Sequence, residues 1–253
     1  MTVAALVLGA GRGERFRASL AGARPEGGCE ADTGVVSSKA FALLAGRTLL
    51  ARSIDALCDS GAVDRVVPVL PAEAVAHWAR VLDELGSPER VGDPVSGGAE
   101  RVDSVRAGVA SLAGSAEWIA VHDADRPLVR PSDVARVVRV AQECGAALLA
   151  VPAADTIKRV VGDQVVDTPP RDECWLAQTP QVFRLELLCE ALDRAAEDRA
   201  VGTDDAQLVE RLGHPVQVVR GDPSNRKITE AADLRAAESW LRTQAVAGAG
   251  SHP

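Results

Sequence analysis

Val7-Leu8-Gly9-Ala10-Gly11-Arg12-Gly13-Glu14-Arg15-Phe16 is the stretch whose reading decides the fold. The apolar run from Val3 to Leu8 reads as a buried first strand, and it breaks into glycines at alternate positions before the chain turns basic. Glycine tolerates positive φ and lets the backbone come close to a ligand. Peptide N–H groups in such a turn form a concavity that binds anions. Strand, glycine turn and Arg15 at the rim therefore describe a phosphate cradle. A plain strand-to-helix turn fits the same residues, because short glycine motifs recur by chance.

Spacing separates the phosphate-binding loops from one another. A dinucleotide fingerprint needs Gly-x-Gly-x-x-Gly, and the position three after Gly11 is Glu14. A P-loop needs Gly-Lys followed by Ser or Thr, and no lysine lies near. The loop is similar instead to the Gly-x-Gly-x-Arg loop of sugar nucleotidyltransferases, which grips a nucleoside triphosphate.

The 253 residues are 47% hydrophobic and 25% charged, as in a globular protein. No apolar run approaches the ~18 residues of a transmembrane helix, and no signal peptide is evident. The five cysteines are scattered and form no Cys-x-x-Cys, which suits thiols in a reducing cytoplasm rather than zinc or disulfides. A net charge of −8 argues against a nucleic-acid partner. An anionic small substrate would need a local basic cluster. Lys39, Lys158 and Lys227 are the only lysines in a chain otherwise served by arginine. They are candidates for sites that need a compact point charge, unless they are merely the surface lysines left by chance.

Along the chain, strands and helices alternate. Residues 17–38, rich in Gly, Ala and Ser, read as a flexible loop ending at Lys39. Thr48 caps a helix carrying Leu50, Ile54 and Leu57, which Gly61 stops. A short strand from Arg65 to Leu70 precedes a helix from Ala72 to Leu85, with Trp78 on its core face. A second glycine loop, Gly97-Gly98-Ala99-Glu100-Arg101, opens a further helix. The strand from Trp118 to His122 ends abruptly in Asp123-Ala124-Asp125-Arg126-Pro127, and a helix from Pro131 to Gly145 leads to a strand from Ala147 to Val151. This alternation implies βαβ units and a mostly parallel sheet, with ligands beyond the strands' carboxyl ends. The rhythm changes at Asp155, where Gly162-Asp163 turns a polar hairpin that needs a partner surface to be stable. Helices from Leu185 to Glu197 and after the cap Thr203-Asp204-Asp205, a strand from Val216 to Arg220 and a terminal helix near Ala231 to Thr243 complete the chain. The expectation is one domain over 1–243 with an arm at about 155–171, and a disordered tail over 244–253.

Taken together, the loops resemble the 2-C-methyl-D-erythritol 4-phosphate cytidylyltransferase family. The resemblance rests on Gly9 to Arg15, Lys39, Gly97 to Val105, Val121 to Pro127, Asp155-Thr156-Ile157-Lys158, Arg171, Gln178-Thr179-Pro180-Gln181-Val182-Phe183, Thr203 to Ala206 and Lys227-Ile228-Thr229, in the family's order. The chain departs from the family's pattern in the longer segment between Arg15 and Lys39, in Ser38 where proline is frequent, and in Asp125 where alanine is more frequent.

The resemblance implies a three-layer, Rossmann-like α/β nucleotidyltransferase fold with a protruding β-hairpin arm. It implies transfer of a cytidylyl group from CTP to methylerythritol phosphate, with pyrophosphate leaving. Arg15, Lys39, Arg171 and Lys227 are the implied catalytic residues. Gly9, Ala10, Gly11, Gly13, Gly98, Ala99, Ser104, Asp123 and Ala124 would bind CTP. Asp123, Arg126, Thr156, Arg171, Thr179 and Lys227 would surround the sugar phosphate. Mg²⁺ would be held mainly by the CTP phosphates, with Asp123 as a candidate ligand, and His122 would be structural. The hairpin would cross to a second subunit of a homodimer and bring Thr156 and Arg171 to its site. A ribitol-5-phosphate cytidylyltransferase is the nearest rival, against which Lys158 speaks, and a non-catalytic nucleotide-binding domain of the same fold is the other.

Overall fold

Strand β1, Val3–Leu8, is buried on both faces, as a central parallel strand must be. In the computed structural model, which describes residues 1–11, 13–21, 38–112, 114–199 and 202–249, it is an inner strand of one seven-stranded sheet. The chain continues through α1 (Glu14–Ala21), the short pair β2 (Leu43–Leu44) and β3 (Arg47–Thr48), α2 (Leu49–Asp59), β4 (Arg65–Leu70), α3 (Ala72–Val75), α4 (Trp78–Leu82), β5 (Val95–Ser96), α5 (Arg101–Ser111), β6 (Trp118–Asp123), α6 (Pro131–Cys144) and β7 (Ala146–Pro152). An arm of β8 (Arg159–Val161) and β9 (Gln164–Asp167) follows, then β10 (Trp175–Arg184), α7 (Leu185–Glu197), α8 (Asp205–Arg211), β11 (Gln217–Arg220) and α9 (Ala231–Ala249).

The sheet order is β11-β7-β10-β6-β1-β4-β5. All neighbours are parallel except β10, which runs antiparallel to both β6 and β7. One face packs Leu50, Ile54 and Leu57 of α2 and Val134, Val137 and Ala141 of α6 against Val7, Leu70 and Ala120. The other packs Val105 of α5, Leu188 and Leu192 of α7, and Leu208 of α8 against Leu6, Ile119 and Phe183. The sheet is thus the middle of three layers, and the carboxyl ends of β1, β4 and β6 share one edge.

Three local expectations are corrected, and one strand, β10, joins the sheet without a local signal. Residues 17–21 are helical, because α1 begins at Glu14 and buries Phe16 against Leu44, Leu49, Ile228 and Leu234; residues 22–37 of the expected loop lie outside the described residues. The helix expected from Ala72 to Leu85 is two short pieces. His77 N–H closes a tight turn on the Ala74 carbonyl, and the chain re-enters as α4 with Trp78 and Val81 buried. Strand β10 was not anticipated, because Gln178-Thr179-Pro180-Gln181 interrupts its apolar pattern. The tail expected from 244 is helical to Ala249, where the alanine-rich sequence has high helix propensity. The arm is a two-stranded ribbon separate from the main sheet, with Val160, Val161, Val165 and Val166 exposed.

Candidate active site

The glycine turn leaves β1 at the edge shared by the strand ends. Gly9 N–H donates to Val69 O of β4 at 2.8 Å, and Ala124 N–H donates to Leu8 O at 3.0 Å, so the turn is sewn to both neighbours. Gly13 has φ +60°, and a Cβ there would lie 3.1 Å from Lys39 Cβ. Gly97 is equally constrained, since a Cβ would meet Ala10 Cβ at 2.5 Å. The two glycine loops therefore touch at Gly97 and Ala10, where a side chain on Gly97 would force them apart, while one on Gly13 would press on Lys39.

Between them lies a cavity of about 200 Å³. Gly9, Ala10, Gly11 and Gly13 line one side, and Gly98, Ala99 and Ser104 the other. Its charged lining is Lys39, Glu100, Arg101, Asp123, Asp125 and Lys227, with Ala124 beside them. An adjoining, more open cavity of about 520 Å³ shares Lys39, Asp125 and Lys227, and Arg15 lines it. Lys39 and Lys227, two of the three lysines, thus stand at the cavity; the third, Lys158, is on the arm, donating to Thr168 Oγ1 at 2.9 Å.

Ser38 explains how Lys39 reaches the loop after so long a separation in sequence. Its hydroxyl donates to Gly9 O at 2.7 Å and accepts from Ala40 N–H, capping the turn Lys39–Phe41. Lys39 Nζ lies 2.6 Å from Asp125 Oδ2 and 2.6 Å from Ile228 O. Lys227 Nζ lies 2.9 Å from Asp123 Oδ2 and 3.7 Å from Asp125 Oδ1. Asp125, the departure from the family pattern, is therefore a counter-ion to both lysines.

Asp123 is the hub. Burial alone would raise its carboxyl, but Lys227, Arg101 and Arg126 outweigh burial and hold it well below the usual carboxylate range. Burial and the neighbouring Asp123 push Asp125 the other way, upward. Burial also opposes charge on Lys227, yet Asp123 and Asp125 together raise its value. Arg101 opens α5 directly after the second glycine loop. It sits between two carboxylates, 2.7 Å from Asp205 Oδ2 and 3.5 Å from Asp123 Oδ1. No local pattern marks it, because its partner Asp205 lies far away in sequence.

His122 is fully buried, and burial lowers its value to about 4. Its Nε2 faces the Arg126 carbonyl at 3.3 Å, which can only accept, so Nε2 carries the proton. Nδ1 therefore accepts from the Thr179 hydroxyl at 3.0 Å, and that hydroxyl accepts from Asp123 N–H at 3.0 Å. The chain Arg126–His122–Thr179–Asp123 fixes the end of β6.

These contacts place the remaining expected residues. Thr179 is buried and does not line the cavity; its hydroxyl is used within the chain just described. Arg126 packs behind Asp123 and donates to Asn225 O and Ala177 O. Thr156 and Arg171 are exposed at the base of the arm, where Arg171 donates to Ala154 O at 3.3 Å, and neither lines the cavity of its own chain. The two glutamines of β10 are architectural. Gln178 holds Asp222 O and Asn225, while Gln181 binds Asp204 and Ala206 N–H at the start of α8.

Residues 25–243 match the family model for IspD, 2-C-methyl-D-erythritol 4-phosphate cytidylyltransferase. The chain belongs to this family. A curated 2-C-methyl-D-erythritol 4-phosphate cytidylyltransferase of Geobacter metallireducens is 38% identical over 245 residues, covering 96% of this chain and 98% of that one. One from Rhodococcus jostii is 48% identical over 199 residues, or 78% of this chain and 83% of its own. Among solved structures, that of the Thermus thermophilus 2-C-methyl-D-erythritol 4-phosphate cytidylyltransferase matches with a TM-score of 0.72 at 33% identity, covering 96% of this chain and 100% of that one. The glycine loops and Asp123-Ala124-Asp125 line the cavity, Thr179 of β10 ties down the end of β6, Gln181 joins β10 to α8, and Thr156 and Arg171 of the arm lie away from the cavity.

Proposed function

We infer that this chain transfers a cytidylyl group from CTP to 2-C-methyl-D-erythritol 4-phosphate, giving CDP-methylerythritol and pyrophosphate in non-mevalonate isoprenoid synthesis. Family membership over nearly the whole chain supports the activity. The observation that carries the site is the convergence of both glycine loops, Lys39, Asp123 and Lys227 on one cavity.

A phosphate oxygen of the sugar phosphate attacks the α-phosphorus of CTP, and the bond to the bridging oxygen of pyrophosphate breaks. No covalent intermediate with the protein is needed, so catalysis is positioning and charge stabilisation. In our reading the backbone N–H groups of the first glycine loop and Arg15 hold the triphosphate, and Gly98, Ala99 and Ser104 face the nucleoside. Lys39 and Lys227 neutralise charge at the α-phosphorus and on the incoming phosphate. Asp123, kept ionised and fixed by Thr179, orients a hydroxyl or the metal.

A divalent cation fits this donor set, because Mg²⁺ is typically bound by one or two carboxylates together with substrate phosphates. Of the carboxylates lining the cavity, Asp123 at the end of β6 is the one we assign to hold it, and the metal would supply neutralisation of phosphate charge. We assign Thr156 and Arg171 to the site of a second subunit, in a homodimer joined through the arm. The exposed valines of β8 and β9, with Trp175 and Leu176 at 40% and 52% exposure, support that surface. No described helix is long and apolar enough to cross a membrane, and we place the enzyme in the cytoplasm.

Pyrophosphate release with CTP and Mg²⁺ tests the activity. Release is expected with methylerythritol phosphate and not with ribitol 5-phosphate; release with ribitol 5-phosphate alone would reassign the substrate, and CTP binding without turnover of either would leave a nucleotide-binding protein.

A further inference from the structure

Asp125 pairs with both lysines that line the cavity. Its Oδ2 lies 2.6 Å from Lys39 Nζ, and its Oδ1 lies 3.7 Å from Lys227 Nζ. Lys39 spends a second donor on Ile228 O at 2.6 Å. The side chains of Lys39 and Asp125 are each only 14% exposed, so the pair is shielded from the screening that weakens surface ion pairs. Asp123 already serves Lys227, Arg101 and Arg126. Asp125 is thus not needed to keep Asp123 paired; what it does is occupy the two ammoniums that face the cavity.

A triphosphate must take those same ammoniums, since Lys39 and Lys227 are the lysines lining both cavities. We propose that Asp125 is a displaceable counter-ion of the triphosphate site, holding Lys39 and Lys227 when no nucleotide is bound and competing with its phosphates for them. The inference rests on the reading of this cavity as the nucleotide site. The backbone need not move for the exchange. Ile228 N–H donates to Asp125 O at 2.8 Å, so the main chain stays tied while the side chain rotates away. The same carboxylate offsets repulsion between Lys39 and Lys227, which explains how a second acidic residue is accommodated beside an anion site. Phosphates enter by replacing an existing charge-assisted contact instead of meeting free cations, so affinity is lower than the cations alone would give.

Titration calorimetry with CTP and with inorganic tripolyphosphate, in EDTA and at low salt, tests this on the full chain. Asp125→Ala removes the competitor; Asp125→Asn keeps its shape and removes its charge. Both variants are expected to bind both ligands more tightly, Asp125→Ala by about tenfold, or about 1.4 kcal/mol. Tightening of threefold or more in both variants supports the proposal. A smaller change in either, or weaker binding, overturns it and makes Asp125 a fixed part of the site. If the wild-type protein binds neither ligand, the reading of the cavity itself fails, which is a different result from unchanged affinity in the variants.

Discussion

Removing Arg101 should unfold the site before it disables it. Its guanidinium is the ion-pair partner of Asp205, whose side chain is wholly buried at the start of α8, and it also reaches Asp123. Burial pushes the Asp205 carboxyl upward and Arg101 pulls it back. Arg101→Met keeps most of the apolar stem and deletes the charge, stranding Asp205. Breaking a buried pair by removing one partner typically costs about 3–5 kcal/mol. For a chain of this length roughly 2–4 °C of Tm goes with each kcal/mol, so Tm should fall by about 6–20 °C. Asp205→Leu in the same background removes the stranded carboxylate and should restore much of the loss, since an apolar pair often substitutes for a buried ion pair. Urea unfolding followed by circular dichroism measures all four proteins, with an unchanged slope as the check that the unfolded state is the same. A loss below about 1 kcal/mol in Arg101→Met, or a double variant as unstable as the sum of the singles, would refute the claim that this pair holds α8 to the site.

Three further outcomes are expected. His122, at about 4 when folded against an ordinary 6.5, stays neutral while the unfolded chain takes up a proton. Its contribution is therefore intact above pH 6.5 and lost as pH falls toward 4, by about 3 kcal/mol; His122→Gln should flatten that part of the stability profile, and an unchanged slope in urea titrations across this range would contradict it. Lys39→Ala should lose about 10²–10³ in kcat, as for loss of one donor to developing charge, with Lys39→Arg recovering only part; steady-state rates within a few-fold of wild type for both would remove Lys39 from the chemistry. Deleting residues 156–171 should give a monomer by light scattering, with the sheet's circular dichroism largely kept and little activity, whereas a full-length protein that is monomeric and fully active would exclude the arm as a shared element.

The parallel core was legible because its strands carry unbroken apolar runs and its helices a regular apolar spacing. β1, β4, β6 and β7 sit where those runs lie, with Trp78 in the core. The glycine loops and the two cavity lysines were legible from spacing and from the scarcity of lysine. β10 was not, because its polar residues serve long-range partners, Gln178 at Asp222 and Gln181 at Asp204, that no local pattern reveals. Arg101 and Asp125 escaped for the same reason. Their partners, Asp205 and Lys227, are about a hundred residues away in sequence, and only the fold brings them within ion-pair distance. The hydrogen bonds of Thr179 to His122 and to the Asp123 backbone inside the protein are likewise visible only in the fold.

The central claim is that the cavity between the two glycine loops holds the reacting phosphates. A crystal structure with Mg²⁺ and a CTP analogue whose α–β bridging oxygen is a methylene tests it most directly. The expected result is an α-phosphate between Lys39 and Lys227, the triphosphate along the first glycine loop, and the cytosine on the side of Gly98 and Ser104. A nucleotide bound elsewhere, or one in this cavity whose phosphates touch neither lysine, would contradict it.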